Sequence, residues 1–138
     1  MKKSILLVVL IVVGLYSCKK EGSVAEVRSK LRGTWEIKST NCGICPIPVT
    51  NYPVGNGNTI TFFTNGGFER KKQDTLITIG SYIVAKDKEC NTPDNRALTI
   101  KEGSRTTIFF IDVDNNELTL STPSCYADGA VTSYRKVQ

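Results

Sequence analysis

Five cysteines and no histidine bound the chemistry open to this 138-residue chain. Cys42-Gly43-Ile44-Cys45 forms a C-x-x-C pair, Cys90 and Cys125 stand apart, and Cys18 follows an apolar run. The missing histidine excludes Ser-His-Asp and Cys-His catalysis, and with them any His-ligated zinc, iron or haem. A dithiol redox pair wants its cysteine at the start of a helix, which Cys45-Pro46-Ile47-Pro48 cannot provide. A four-cysteine zinc site usually has a second C-x-x-C, and the sequence holds none. Copper(I) is a further metal that thiolates suit. Asp112, Asp114 and Glu117 crowd one segment, but Asn115 and Asn116 between them mark a turn, and a calcium loop needs more ligands. No nucleophile stands with a base. The sequence therefore assigns no catalytic residue, no metal site and no cofactor, and an enzyme is not expected.

The cysteines have to be placed by the segments around them. Met1-Lys2-Lys3 is basic, residues 5–13 are apolar without interruption, and Gly14-Leu15-Tyr16-Ser17 leads into Cys18. A charged start and a short apolar stretch read as a secretory signal, too short to span a bilayer comfortably. Leu15-Tyr16-Ser17-Cys18 resembles the lipobox of bacterial lipoproteins. That resemblance implies cleavage before Cys18, lipidation of its sulfur and acylation of the new amino terminus. Two or more acyl chains, each contributing ~0.8 kcal/mol per buried CH₂, make such anchoring stable. Lys19-Lys20-Glu21-Gly22-Ser23 is a polar tether, similar to the charged tags that send some Bacteroidetes lipoproteins to the cell surface. The expected organisation is a signal peptide at 1–17, a lipidated cysteine and tether at 18–30, and a folded domain at 31–138. The expected place is the outer membrane of a Gram-negative bacterium, on its periplasmic face or at the surface. Loss of residues 1–17 removes Lys2 and Lys3 and lowers the net charge from +5 to +3, too little to argue for nucleic acid.

The domain reads as all-β. Trp35 and Ile37 alternate with Thr34, Glu36 and Lys38, and Ile60 and Phe62 alternate with Thr59 and Thr61. Asn65-Gly66-Gly67 is a hairpin signal, because these residues accept positive φ. Further strands are expected at 68–71, 76–84 (with Gly80 marking a bulge or bend), 97–101, 106–113, 117–121 and 130–137. Eight sequential strands with short turns suggest an antiparallel up-and-down meander that closes into a barrel and so loses its edges. A two-sheet sandwich is the alternative. Before the first strand, Ser23 can cap a turn or two of helix, with Glu26 three residues on.

Leu31-Arg32-Gly33-Thr34-Trp35 resembles the Gly-x-Trp opening of lipocalins and of lipocalin-like bacterial domains. Phe62-Phe63-Thr64-Asn65-Gly66-Gly67-Phe68 and Gly80-Ser81-Tyr82 resemble later strands of the lipocalin-like domains of Bacteroidetes lipoproteins. The resemblance implies that Trp35 plugs the closed end of the barrel and that Arg135, in Tyr134-Arg135-Lys136, packs over it. It also implies that the long loop at 40–58 overhangs the mouth. Ile44, Ile47, Val49, Tyr52 and Val54 would then form a lid, and alternation nominates Ile37, Phe62, Tyr82, Ile108 and Phe110 as the lining. The expected function is non-enzymatic binding of a small apolar or amphipathic ligand by a membrane-anchored protein. The alternative is a filled barrel serving as a structural or protein-interaction module. The C-x-x-C after the first strand is also similar to that of copper-linked envelope-stress lipoproteins, which implies a metal- or redox-linked variant of that module.

With Cys18 lipidated, four cysteines remain for an oxidising compartment, an even number that reads as two disulfides with three possible connectivities. Barrel closure sets the loop of Cys42 and Cys45 beside that of Cys125, so one bridge is expected there. Closing ~80 residues would be worth ~4–5 kcal/mol. Counting strands puts Cys90 at the opposite end.

Overall fold

The computed structural model describes residues 23–44, 49–87, 90, 96–123, 125 and 129–137. The signal segment, Cys18, Cys45 and Ile47 lie outside them. The chain forms helix α1 (Val24–Leu31) and strands β1 (Gly33–Asn41), β2 (Val49–Asn51), β3 (Thr59–Phe62), β4 (Gly67–Lys72) and β5 (Thr75–Lys86). It continues through β6 (Arg96–Glu102), β7 (Arg105–Val113), β8 (Glu117–Ser121) and β9 (Val131–Lys136).

The strands make one antiparallel sheet in the order β2-β1-β3-β4-β5-β6-β7-β8-β9, and β1 also pairs with β9. β1 and β3 to β9 thus close an eight-stranded barrel, which replaces the sandwich alternative, and β2 is a ninth strand outside the count. The prolines and glycines of residues 40–58 predict no strand there. Instead β1 runs on to Asn41, and β2 returns along Ser39, Thr40 and Asn41. The chain then leaves the sheet for residues 52–58 and re-enters as β3 beside Gly33 to Glu36. β2 and β3 share one edge of β1 and behave as a single strand with an excursion in it. Gly55 and Gly57, at φ 75° and 69°, supply the left-handed backbone that the excursion turns on.

Alternation sorts the two faces. Trp35, Ile60, Phe62, Phe68, Tyr82, Val84, Leu98, Ile100, Ile111, Leu118 and Leu120 point inward and are buried. Phe68 stands directly across from Gly80, where a Cβ would lie 2.6 Å from the Phe68 ring and collide with the Lys101 carbonyl. Gly80 is therefore a packing position, and the irregularity in that strand pair falls between Arg70 and Lys71 instead.

One end of the barrel is sealed. Ser23 Oγ accepts from Glu26 N at 3.2 Å, capping α1 as its sequence suggests. The helix does more than add a turn, since Leu31 is fully buried and Val24 and Val27 pack on the core. Trp35, fully buried, donates from Nε1 to the Leu31 carbonyl at 2.7 Å. Phe62 and Tyr82 meet edge to face at 5.0 Å beneath it.

Candidate functional site

Glu36 alternates with Trp35 and so faces away from the barrel interior, yet only 6 % of it is exposed. The excursion 52–58 covers it. Gly55 N and Gly57 N donate to the Glu36 carboxylate at 3.0 and 3.4 Å, and Arg135 Nε lies 3.1 Å from it. Glu36 and Arg135 are cross-strand partners on β1 and β9, which puts both on the same outer face. Arg135 Nη2 in turn donates to the carbonyls of Ile37, Tyr52 and Pro53 at 3.2, 2.7 and 2.9 Å. Asn56 Nδ2 adds a bond to Ile37 O at 3.0 Å. This network straps the excursion to the outer wall.

The opposite face of the same strands forms the rim. Ile37 and Tyr134 pair across β1 and β9 and point inward, as does Arg70, the partner of Ile60. Together with Asn58, Thr59, Ile60 and Lys71 they line a cavity of about 70 Å³. Arg70 Nη1 pairs with Glu102 Oε1 at 2.9 Å, and its guanidinium lies 5.9 Å from the Phe68 ring centre. Burial pushes the Tyr134 phenol above its ordinary value of 10.0; Arg70 pulls it down in part, and Tyr52 adds a little to the rise. The rim thus offers a guanidinium and a neutral phenol beside apolar surface, which suits a molecule with a polar or anionic end. Drug-sized ligand pockets occupy ~300–1,000 Å³, well above this volume.

The expected site residues separate into several places. Of the nominated lining, Ile37, Phe62 and Tyr82 point inward, and Phe62 and Tyr82 are spent on core packing. Ile108 and Phe110 are partners of Thr99 and Ala97 on the outer face, and Phe109 takes the inward position. Of the nominated lid, Ile44, Val49 and Val54 are exposed, and the backbone of Tyr52 is held by Arg135. Trp35 is fully buried against Leu31, and the cation over its ring is not Arg135 but Lys136, with Nζ 5.0 Å from the ring centre. Lys136 is the register partner of Trp35, whereas Arg135 belongs to the outer face.

Cys125 is bonded to Cys90, with 5.5 Å between their Cα atoms, and not to Cys42 or Cys45. Cys42 is also disulfide-bonded. Barrel shear explains the Cys90 pairing. Ala97, Phe110, Ser121 and Val131 lie on one hydrogen-bonding row, so the start of β6 stands level with the end of β8. Loops assigned to opposite ends by counting strands start from the same height.

Glu36, Arg70, Glu102, Tyr134 and Lys136 are the residues that sequence reasoning passed over. Arg70 and Glu102 were readable in principle, because each continues an inward alternation (Phe68, Arg70; Leu98, Ile100, Glu102) with a charge. Among the described residues no group of three or more His, Cys, Asp or Glu could hold a metal ion. No helix among them is long and apolar enough to cross a membrane. Comparison with known proteins finds no matching family model, no curated protein and no solved structure similar to this chain.

Proposed function

We propose that this chain is a lipid-anchored, lipocalin-like envelope protein that binds a small amphipathic molecule at the rim of its barrel and carries out no chemistry. The observation that carries the reading is Arg70, turned into the barrel beside Tyr134 and Ile37 and held by Glu102. A charged pair inside a barrel does little for stability that apolar residues would not do as well, so it reads as recognition. The sealed end built from Leu31 and Trp35 supports a one-mouthed cup, and the lipobox resemblance supports the anchor. Native mass spectrometry of the chain isolated from its own host's membranes tests it. A co-purifying small molecule, lost in Arg70→Met, is the expected result; a bare protein mass in both forms refutes the ligand.

A second reading, the filled barrel that docks another protein, is favoured by one further observation. Ile77, Ile79 and Ile83 form an exposed apolar row on the outside of β5, and Thr75 to Ile79 pair only with β4 among the described residues. Exposed rows of this kind mark interaction surfaces. Cross-linking in the host envelope, with Ile79→Lys as control, separates this reading from the first.

A further inference from the structure

The sealed end carries a cavity of its own. Arg28, Thr64, Asn65, Gly66 and Tyr82 line about 160 Å³ between α1 and the β3–β4 turn. At ~30 Å³ per water this holds about five waters, or a tetrahedral oxyanion with part of its hydration. Several of the hydrogen-bond donors around it are unengaged among the described residues. Arg28 and Arg32 form no ion pair among the described residues, and Glu26 is taken up by Lys30 at 3.1 Å. In the turn, Phe63 N and Gly66 N are bonded to Gly67 O and Phe63 O, whereas the N–H groups of Thr64 and Asn65 have no partner among the described residues. Asn65 Oδ1 accepts from Gly67 N at 2.9 Å, which leaves its amide NH₂ as a donor. The Tyr82 hydroxyl is fixed by its bond to Phe63 O at 2.8 Å. Both arginines act on that phenol, opposing the rise that burial causes. Phe63, beside this turn, is 41 % exposed.

Position decides which anion this suits. Cys18 and Val24 are six residues apart in the chain, and at 3.3–3.6 Å per residue the tether spans at most about 20 Å. A lipid on Cys18 would hold α1 and its arginines against the bilayer surface. We propose that this pocket receives the phosphate of an anionic phospholipid headgroup, with Arg28 as its cation, Arg32 beside it and the Thr64–Asn65 turn as further donors. The choice of a lipid as the source of that phosphate rests on the anchored reading given above. The barrel then stands with its sealed end on the membrane and its rim directed away from it.

The test uses the full chain in neutral detergent. Amide spectra are followed while short-chain phosphatidylglycerol, short-chain phosphatidylcholine or inorganic phosphate is added. Saturable shifts at Thr64, Asn65 and Gly66 with phosphatidylglycerol, and much weaker ones with phosphatidylcholine, are expected. R28Q/R32Q should weaken phosphatidylglycerol binding about 25-fold, roughly fivefold per basic charge removed. Both positions are exposed, so an unchanged melting temperature confirms that the variant is folded. Equal response to the two lipids, or undiminished affinity in R28Q/R32Q, overturns the site. Inorganic phosphate binding as tightly as the lipid overturns the lipid source. Intact mass of the same preparation reports Cys18 lipidation separately. Headgroup binding with a bare Cys18 refutes the anchor and supports the site; a lipidated Cys18 without binding refutes the site alone.

Discussion

Arg135→Met isolates the strap. The substitution keeps the aliphatic stem and removes the guanidinium that lies 3.1 Å from Glu36 and binds the carbonyls of Ile37, Tyr52 and Pro53. Breaking a buried ion pair from one side costs about 3–5 kcal/mol, because the remaining charge loses its partner. Two facts place this case at the lower end. Glu36 keeps the N–H groups of Gly55 and Gly57, and the Arg135 side chain is 25 % exposed, so water can reach the freed carbonyls. The expected loss is about 3 kcal/mol, which lowers the melting temperature of a barrel of this size by about 10–15 °C. Urea unfolding read by Trp35, the chain's one tryptophan and fully buried, measures it directly. The companion variants Glu36→Gln and the double substitution complete a cycle whose coupling should be about 2 kcal/mol. The double variant should be little worse than Arg135→Met, since Glu36→Gln removes the carboxylate charge that Arg135→Met leaves without its cation. A loss under about 1 kcal/mol for Arg135→Met, or additive single losses, refutes the strap as a coupled unit.

Trp35→Ala should lose ~3–5 kcal/mol in the same assay, as large core deletions do; a loss under about 1 kcal/mol, the range of surface changes, rules out a plug. Cys90→Ala with Cys125→Ala opens a bridge of 35-residue separation, so loop-closure entropy assigns it about 3–4 kcal/mol. Unchanged urea midpoints in that pair would contradict the bridge. Tyr134 binds its proton more tightly folded than unfolded, so its contribution to stability is complete below pH 10.0 and declines as pH rises through the folded value. Tyr134→Phe should flatten that alkaline decline without affecting stability at neutral pH; absorbance titration of the phenols supplies the independent check.

Strand positions were legible because turn chemistry interrupts short alternating runs. The sequence reading has all eight barrel strands in order, and Ser23 caps α1 through Glu26 as its spacing implies. Facing was less legible in β7. Ile108, Phe109, Phe110 and Ile111 are apolar in succession, so either parity buries two of them, and a shift by one residue exchanges the faces. The same one-residue ambiguity separates Arg135 from Lys136, since both are long cations and only the register with β1 assigns Lys136 to Trp35. Pro53, Gly55 and Gly57 correctly signal irregular chain. They do not signal that it lies on the outer wall, because its anchor, Arg135, is over 80 residues away. The Cys90–Cys125 bridge was hidden for a different reason: shear is a property of the closed barrel, and no local segment encodes it.

The seam between β1 and β9 also sets an order of events. β3 to β8 each pair with the next strand in the chain, so those hairpins can form as soon as their residues are available. The seam joins residues such as Ile37 and Arg135, separated by 98 positions, and long-range pairings of this kind form slowly. Until β9 arrives, Glu36 lacks its cation, the 52–58 excursion lacks its clamp, Trp35 lacks Lys136, and both edges of the meander are open. Closing the ring, docking the strap and covering the tryptophan are therefore one late event. A chain ending before Val131 would keep most of its strands and remain an open sheet with two adhesive borders.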